Sequence, residues 1–364
     1  RPGNVLQTIF RGMEVQEMKY VDLNNTELNV SRICLGTAGF GEKLNEEECF
    51  RILDAFVQAG GNFIDTANVY CKWVEGLGNC SEQIIGKWLR QRKTDGKVIV
   101  ATKGAHYSFE DPSKSRVNRE AIRADLEESC RTLGKDVIDF YWLHRDDPEK
   151  PVEEILDILE ELKKEGKLRY YGFSNYGTER LKEIEKCLRE RKLPGITAVS
   201  NQWSLAGINP GGNTNPDPTL VEFSEEEYQW HCKTKTASVP FSSTAMGFFS
   251  KLEKAGIPVA AEKEVDEIWM QTMEKQLTGI SQEQKRAYWN LTNLRTYEKL
   301  RKLQKETESS LQVLSLAYFF HQPFQTIPVT GVRDLSQLKD ALTACEIEME
   351  PELFGGWIKQ GENI

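Results

Sequence analysis

Eight short runs of β-branched and aromatic residues alternate with longer amphipathic runs, which predicts an α/β fold of parallel strands joined by right-handed crossovers. Two further observations select a single closed (β/α)8 barrel with enlarged βα loops over an open doubly wound sheet. The first strand-to-helix turn, Gly36-Thr37-Ala38-Gly39-Phe40-Gly41, lacks the G-x-G-x-x-G spacing that a dinucleotide-binding open sheet needs there. Polar residues also collect at the ends of successive strand candidates, where a parallel barrel gathers its chemistry.

The strand candidates are residues 32–35, 62–67, 98–103, 138–144, 170–175, 198–203, 237–242 and 325–330. Helical periodicity falls between them at 46–59, 81–92, 118–133, 151–167 and 178–192. In the fourth of these, Val152, Ile155, Leu156, Ile158, Leu159 and Leu162 share one face, with Glu and Lys opposite. Pro151 opens that helix where a missing N–H costs nothing, and Gly166 closes it. Gly60-Gly61 and Gly134 supply the left-handed residue expected just past other helix ends. Two stretches break the rhythm: 205–222 reads as a Gly/Pro/Asn-rich loop, and 250–293 as a charged, helix-prone insertion before a helical run at 294–309.

A length of 364 residues suggests about two domains by size alone, but eight βα units account for one barrel over 18–364. Residues 1–17 are unpatterned and read as an extension or leader without a secretory signature. With 47 basic against 56 acidic residues and no basic stripe, the chain is not expected to bind nucleic acid or an anionic membrane surface. No apolar run approaches the length of a spanning helix, so no membrane partner is expected. The eight cysteines, Cys34, Cys49, Cys71, Cys80, Cys130, Cys187, Cys232 and Cys345, are scattered and form no C-x-x-C pair. They read mostly as reduced thiols of a cytoplasmic protein, with no zinc site.

The strand ends carry Asp65, with Tyr70 five residues on, then Lys103, His144, Ser174-Asn175 and Gln202. Singly, each has an ordinary structural reading; together they compose a proton-transfer apparatus. An ammonium beside a tyrosine stabilises the phenolate and lowers the pKa of a group that is otherwise a poor acid at neutral pH. Lys103 can play that part, Asp65 can hold it charged, and His144 can orient a carbonyl oxygen. No side chain donates hydride, so a nicotinamide cofactor would have to supply it.

These segments resemble the aldo-keto reductase superfamily from about Met18 to Ala344. The likeness runs through Gly61-Asn62-Phe63-Ile64-Asp65-Thr66-Ala67-Asn68-Val69-Tyr70, Ser81-Glu82 with Ile85-Gly86, Thr102-Lys103-Gly104, Trp142-Leu143-His144 and Gly166-Lys167-Leu168-Arg169-Tyr170-Tyr171-Gly172-Phe173-Ser174-Asn175. It implies a metal-free barrel that interconverts a small-molecule carbonyl and alcohol with NADP(H). The implied general acid is Tyr70, supported by Lys103, Asp65 and His144. Ser174, Asn175 and Gln202 would grip the nicotinamide amide, with Gly36 and Thr37 at the first turn and Phe241-Ser242 offering a ring to stack. Gly331, Arg333, Gln337 and Asp340 would hold the adenosine phosphate end, where a planar guanidinium suits a 2′-phosphate. The chain departs from the usual pattern with Ala341 where Asn is common and Phe241 where Tyr is common. The same resemblance admits a second class of function, a cofactor-binding redox sensor or regulatory subunit with little turnover. For the substrate pocket the expected walls are Trp73, the loops 106–116 and 205–222, and Trp357. Trp73 and Trp203 beside Arg145, Asp146 and Asp147 suggest a sugar-like or polyol substrate.

Overall fold

The computed structural model describes residues 18–94, 96–213, 217–259 and 266–347. The expected extension at 1–17 and the proposed pocket residue Trp357 lie outside the described residues. A hairpin of β1 (Tyr20–Asp22) and β2 (Asn29–Ser31), which the periodicity does not reveal, precedes the main sheet. Its strands are three residues each, too short for alternation to register.

The main sheet holds eight parallel strands, one for each expected run: β3 (Cys34–Gly36), β4 (Phe63–Asp65), β5 (Ile99–Gly104), β6 (Ile138–Leu143), β7 (Leu168–Ser174), β8 (Ala198–Ser200), β9 (Ala237–Ser238) and β10 (Val329–Gly331). Their order is β10-β3-β4-β5-β6-β7-β8-β9. The two ends meet as well: Ser238 N–H donates to Gln325 O, Ile327 N–H to Ser238 O, and Val329 N–H to Pro240 O. That ladder leaves no open edge, so the fold is the (β/α)8 barrel the alternation predicts.

Helices follow the strands as anticipated: α1 (Glu46–Gln58), α2 (Cys80–Arg92), α3 (Arg119–Leu133), α4 (Val152–Lys164) and α5 (Thr178–Glu190). Local chemistry fixes their ends. Asn45 and Glu48 form a reciprocal capping box at the start of α1, and Gly134 ends α3 at φ 71°. Inside the barrel, Phe63, Ala101, Phe140, Trp142, Ala198 and Ala237 form a core continuous with Leu23, Leu28 and Val30 of the hairpin. Phe140 and Trp142 take the inward positions of β6 two residues apart, the period of a strand.

The chain divides into two compact units. The first comprises the residues up to Gln202 with Thr219–Pro240 and Phe324–Lys339, and contains the sheet. It also contains α6 (Glu225–Thr234). The second comprises Trp203–Pro218, Phe241–Pro323 and the residues from Asp340 onward, so both irregular stretches of the sequence contribute to it. Its helices α7 (Phe248–Lys254), α8 (Glu267–Glu274), α9 (Gln282–Tyr288), α10 (Leu291–Thr307) and α11 (Leu311–Ala317) enclose a separate apolar cluster around Phe248, Leu252, Tyr288, Leu294, Tyr297 and Leu300. Asn293 stitches the loop to the insertion, accepting from Gly207 N–H and donating to Gly207 O and Tyr288 O. α12 (Leu335–Ala344) closes the described chain.

Helices α2 and α3 touch at Gly86, where an added Cβ would overlap the Thr132 carbonyl and stand 2.9 Å from Leu133 Cα. Both are backbone atoms and cannot turn aside. Gly86→Ala is therefore expected to destabilise the protein by about 1–3 kcal/mol despite alanine's better helix propensity. Urea unfolding would show it as a lowered midpoint at unchanged slope.

Candidate active site

Lys103, near the end of β5, is 2% exposed and spends all three ammonium protons on three acceptors. Its Nζ donates to Asp65 Oδ2 at 2.5 Å, to the Thr66 carbonyl at 2.8 Å and to Tyr70 Oη at 3.0 Å. The strand register arranges this. Asp65 lies opposite Ala101 on β5, and Lys103, two residues further, projects on the same side. Tyr70 is brought over the lysine by the turn after β4, in which Asn68 N–H donates to Lys103 O and Tyr70 N–H to Ala67 O. Trp142 pairs in register with Lys103 from β6, and its indole N–H faces the Asp65 carboxylate. His144, just beyond β6, donates its backbone N–H to Gly104 O and sets its ring edge-on to Tyr70, centroids 6.1 Å apart.

Beneath this group the hydroxyls of Thr37, Thr66 and Ser81 form a buried chain, and Thr37 Oγ1 also donates to Asp65 O. The Thr37 hydroxyl, expected at a cofactor, gives its proton to the strand end at Asp65. Gly36 sits so close to β10 that a Cβ there would stand 2.9 Å from Val329 Cγ1.

Above the group, two loops contribute rings. Trp73 and Phe109 are 44% and 45% exposed, and Trp73 packs edge-on to both Tyr70 and Phe109. His106 contacts Tyr107, Phe109 and His144 with centroids 4.1–5.4 Å apart. A cavity of about 400 Å³ opens here, lined by residues that include Asn68, Lys103, His106, Tyr107, Phe109 and Arg116. Cys71 and Cys80 are joined by a disulfide that closes the loop carrying Trp73. Most of the cysteines are free thiols, as expected, but this pair, two of the eight, is bonded. A spacing of nine residues is no recognisable disulfide signature; only the fold reveals that the start of α2 lies against the residue after Tyr70.

On the neighbouring strand ends, Ser174 Oγ donates to Ser200 O and Asn175 Nδ2 to His144 O, while Gln202 pairs in a parallel bridge with Glu222. Gly331 ends β10, and the exposed Arg333 stands just before α12, its backbone N–H bonded to Gln337 Oε1. Phe241, Ser242 and Asp340 belong to the second unit. There Phe241 O accepts from Trp203 N–H, Ser242 is exposed at φ 56°, and Asp340 accepts from Ser310 Oγ.

A family model described as the aldo/keto reductase family matches residues 32–357. The chain belongs to the aldo/keto reductase family. Among its relatives, an uncharacterized oxidoreductase YrpG of Bacillus subtilis is 28% identical over 93% of this chain and 94% of its own length. A norsolorinic acid reductase of Emericella nidulans is 25% identical over 89% of the chain and 76% of the relative. An aryl-alcohol dehydrogenase [NADP(+)] of Phanerodontia chrysosporium is 35% identical over 49% of each. Membership makes the chain an oxidoreductase of carbonyls and alcohols, acting on a small molecule with a nicotinamide cofactor. No helix among the described residues is long and apolar enough to cross a membrane, and none of their His, Cys, Asp and Glu side chains group in threes to hold a metal.

The electrostatics of this candidate site differ in one respect from the expectation that Lys103 lowers the Tyr70 pKa. Burial raises the Tyr70 phenol above its ordinary value, and the Lys103 ammonium only pulls it part of the way back. Tyr70 therefore rests as a neutral phenol. Burial also raises the Asp65 carboxyl, opposed by Lys103 and by the Trp142 indole. Burial alone would lower Lys103, but Asp65 and Tyr70 outweigh it and hold the ammonium above the usual lysine value. His144 is pushed well below the usual histidine value by burial, then by Arg145 and His106, so its ring is neutral. The contributions of Trp142 and His106 are not legible in the sequence, since their proximity arises only through register and ring packing.

A histidine that stays neutral in the fold but protonates in the unfolded chain costs stability as pH falls below about 6.5. Below that pH the unfolded state binds the extra proton, so the loss grows by up to about 1.4 kcal/mol per pH unit. His144→Gln is expected to remove this component, giving a shallower decline in unfolding free energy between pH 7.5 and 5.5 than the unaltered protein shows.

Proposed function

We propose that this protein is an NADP(H)-dependent reductase of aromatic aldehydes or ketones, with Tyr70 as the proton donor and, in reverse, the acceptor. The observation that carries the reading is the single hydrogen-bonded chain Asp65–Lys103–Tyr70 beside a neutral His144. When bound, the nicotinamide supplies or takes up the hydride. The residues suit such a cofactor. Asn175 Oδ1 and Ser174 Oγ each keep an acceptor lone pair beyond their bonds to Val221 N–H and Asn175 Nδ2, enough to receive an amide N–H. Gln202 stands on the next strand end, and Arg333 is exposed with its guanidinium in no ion pair among the described residues.

Chemically, Tyr70 holds its proton until negative charge develops on a carbonyl oxygen set near its hydroxyl. The Lys103 ammonium 3.0 Å away then stabilises the phenolate left behind, and Asp65 keeps that ammonium in place. Neutral His144 orients the carbonyl without adding a competing charge. The aromatic preference rests on the exposed faces of Trp73, beside Tyr70, and of Phe109, beside Trp73, and it agrees with the aryl-alcohol dehydrogenase among the relatives. A sugar-gripping role for the next loop has less support. Asp146 is committed to Arg180, and Arg145 to Thr219 Oγ1 and His144 O, while Trp203 is buried against Tyr318 and Phe319.

With NADPH, aryl aldehydes are expected to turn over with a higher kcat/KM than aldoses or straight-chain aldehydes. Tyr70→Phe is expected to lower kcat by about 10²–10⁴-fold while NADPH fluorescence quenching stays close to that of the unaltered protein. Equal rates for the two proteins would remove Tyr70 from the chemistry. Arg333→Ala is expected to raise KM for NADPH about tenfold or more and leave KM for NADH within about twofold.

A further inference from the structure

The turn after β7 is held by a side-chain network that the catalytic chemistry does not use. Asn175 adopts φ 61°, a left-handed conformation that costs energy for a residue with a Cβ. From there its amide reaches three elements: Nδ2 donates to His144 O and Ser174 Oγ, and Oδ1 accepts from Val221 N–H. The next residue, Tyr176, is gripped on both sides of its backbone by Asn201, 1% exposed. Oδ1 of Asn201 accepts from Tyr176 N–H at 3.2 Å, and Nδ2 donates to Tyr176 O at 2.9 Å. Asn201 Nδ2 in turn stands 3.0 Å from both oxygens of Glu227, a carboxylate on α6 that is 1% exposed.

Burying a carboxyl to steady one amide is expensive, and an apolar pair of similar volume would fill the space at lower cost. Its other polar neighbour is His231, one turn along α6, whose Nε2 lies 3.6 Å away. That ring is itself fixed, donating from Nδ1 to Thr236 O and lying flat between Phe223 and Phe324. Glu227 thus holds the Asn201 amide while His231 stands behind Glu227 without a hydrogen bond to it, and the chain terminates on the backbone next to Asn175.

We propose that Asn201 and Glu227 are positioning residues for cofactor binding: they lock the Ser174–Asn175–Tyr176 turn so that Ser174 and Asn175 meet the nicotinamide amide pre-formed. This rests on the assignment of Ser174 and Asn175 to the cofactor. Without the clamp, the left-handed turn must be selected from a broader population at the moment of binding, which weakens affinity without touching proton transfer.

The test is NADPH titration by fluorescence quenching, with steady-state kcat and KM, on the full-length protein. Asn201→Ser and Glu227→Leu are expected to raise the NADPH dissociation constant about tenfold, with kcat at saturating cofactor within about threefold. Glu227→Gln keeps an acceptor for Asn201 and is expected to bind within about twofold of the unaltered protein. In a double-variant cycle, Asn201→Ser added to Asn175→Ala should weaken binding little beyond Asn175→Ala alone, because the clamp acts through that residue. Unchanged affinity in Asn201→Ser, or full additivity in the cycle, would overturn the inference, and the cycle decides it even if Glu227→Leu fails to fold. Absence of NADPH binding by the unaltered protein would instead overturn the cofactor assignment, and this inference with it.

Discussion

A lysine that is 2% exposed sets the terms for the first unit. An ammonium is tolerated at that depth only if each of its protons has an acceptor and a counter-charge stands beside it. Asp65 supplies the charge at 2.5 Å, the Thr66 carbonyl takes the second proton, and Tyr70 takes the third. Because Lys103 has no spare donor, Tyr70 must sit where it does for the lysine to be satisfied. The geometry proposed for proton transfer and structural necessity are here the same constraint. Asp65, in turn, is buried alongside Trp142, whose indole N–H faces it from the next strand but one.

The barrel delivers that arrangement through register. In-register pairing carries Asp65 opposite Ala101, and Lys103 opposite Trp142, so that residues far apart in sequence converge at one end of adjacent strands. A one-residue slip would turn Lys103 away from Asp65 and Tyr70 towards the helix layer, where Thr102 now meets Glu82. Crowding at the strand ends resists such slips. Gly104 lies against the Tyr141 ring and Gly172 against Trp142 and the Ala198 carbonyl, positions at which a Cβ would collide with what is already there.

Much of this was legible in the sequence, and the limits are physical. The eight strands were visible because each is an apolar run bounded by turn residues, although several lengths were overstated: residues 237–242 were expected and only Ala237–Ser238 form ladder. Asp65, Tyr70, Lys103 and His144 could be grouped because a parallel barrel places all strand ends on one side, so position along the chain implied position in space. The same logic could not reach Asn201–Glu227, since it joins a strand end to the inside of a helix, or Cys71–Cys80, since it joins a turn to a helix start. Nor could it anticipate the net direction of the Tyr70 shift. The lysine's pull was evident from its identity, but the opposing cost of burial depends on the packing of Trp73, His144 and the loops above.

That balance has a chemical consequence. A tyrosine driven to a low pKa by its lysine would stand ionised at neutral pH and have no proton to give. A buried tyrosine without a lysine would hold its proton but could not bear the charge left on losing it. Desolvation and the ammonium act on the same oxygen in opposite senses, and the result is a group that is neutral at rest yet has its phenolate already provided for. Trp73 and His144 both pack edge-on to Tyr70, and the exposed Trp73 also faces the loops above the site. With Tyr70 as the proposed proton donor, substrate preference and proton affinity are coupled: a loop change that widens the proposed pocket for a bulkier carbonyl also hydrates Tyr70, lowers its pKa and alters the pH range over which it would serve as the acid.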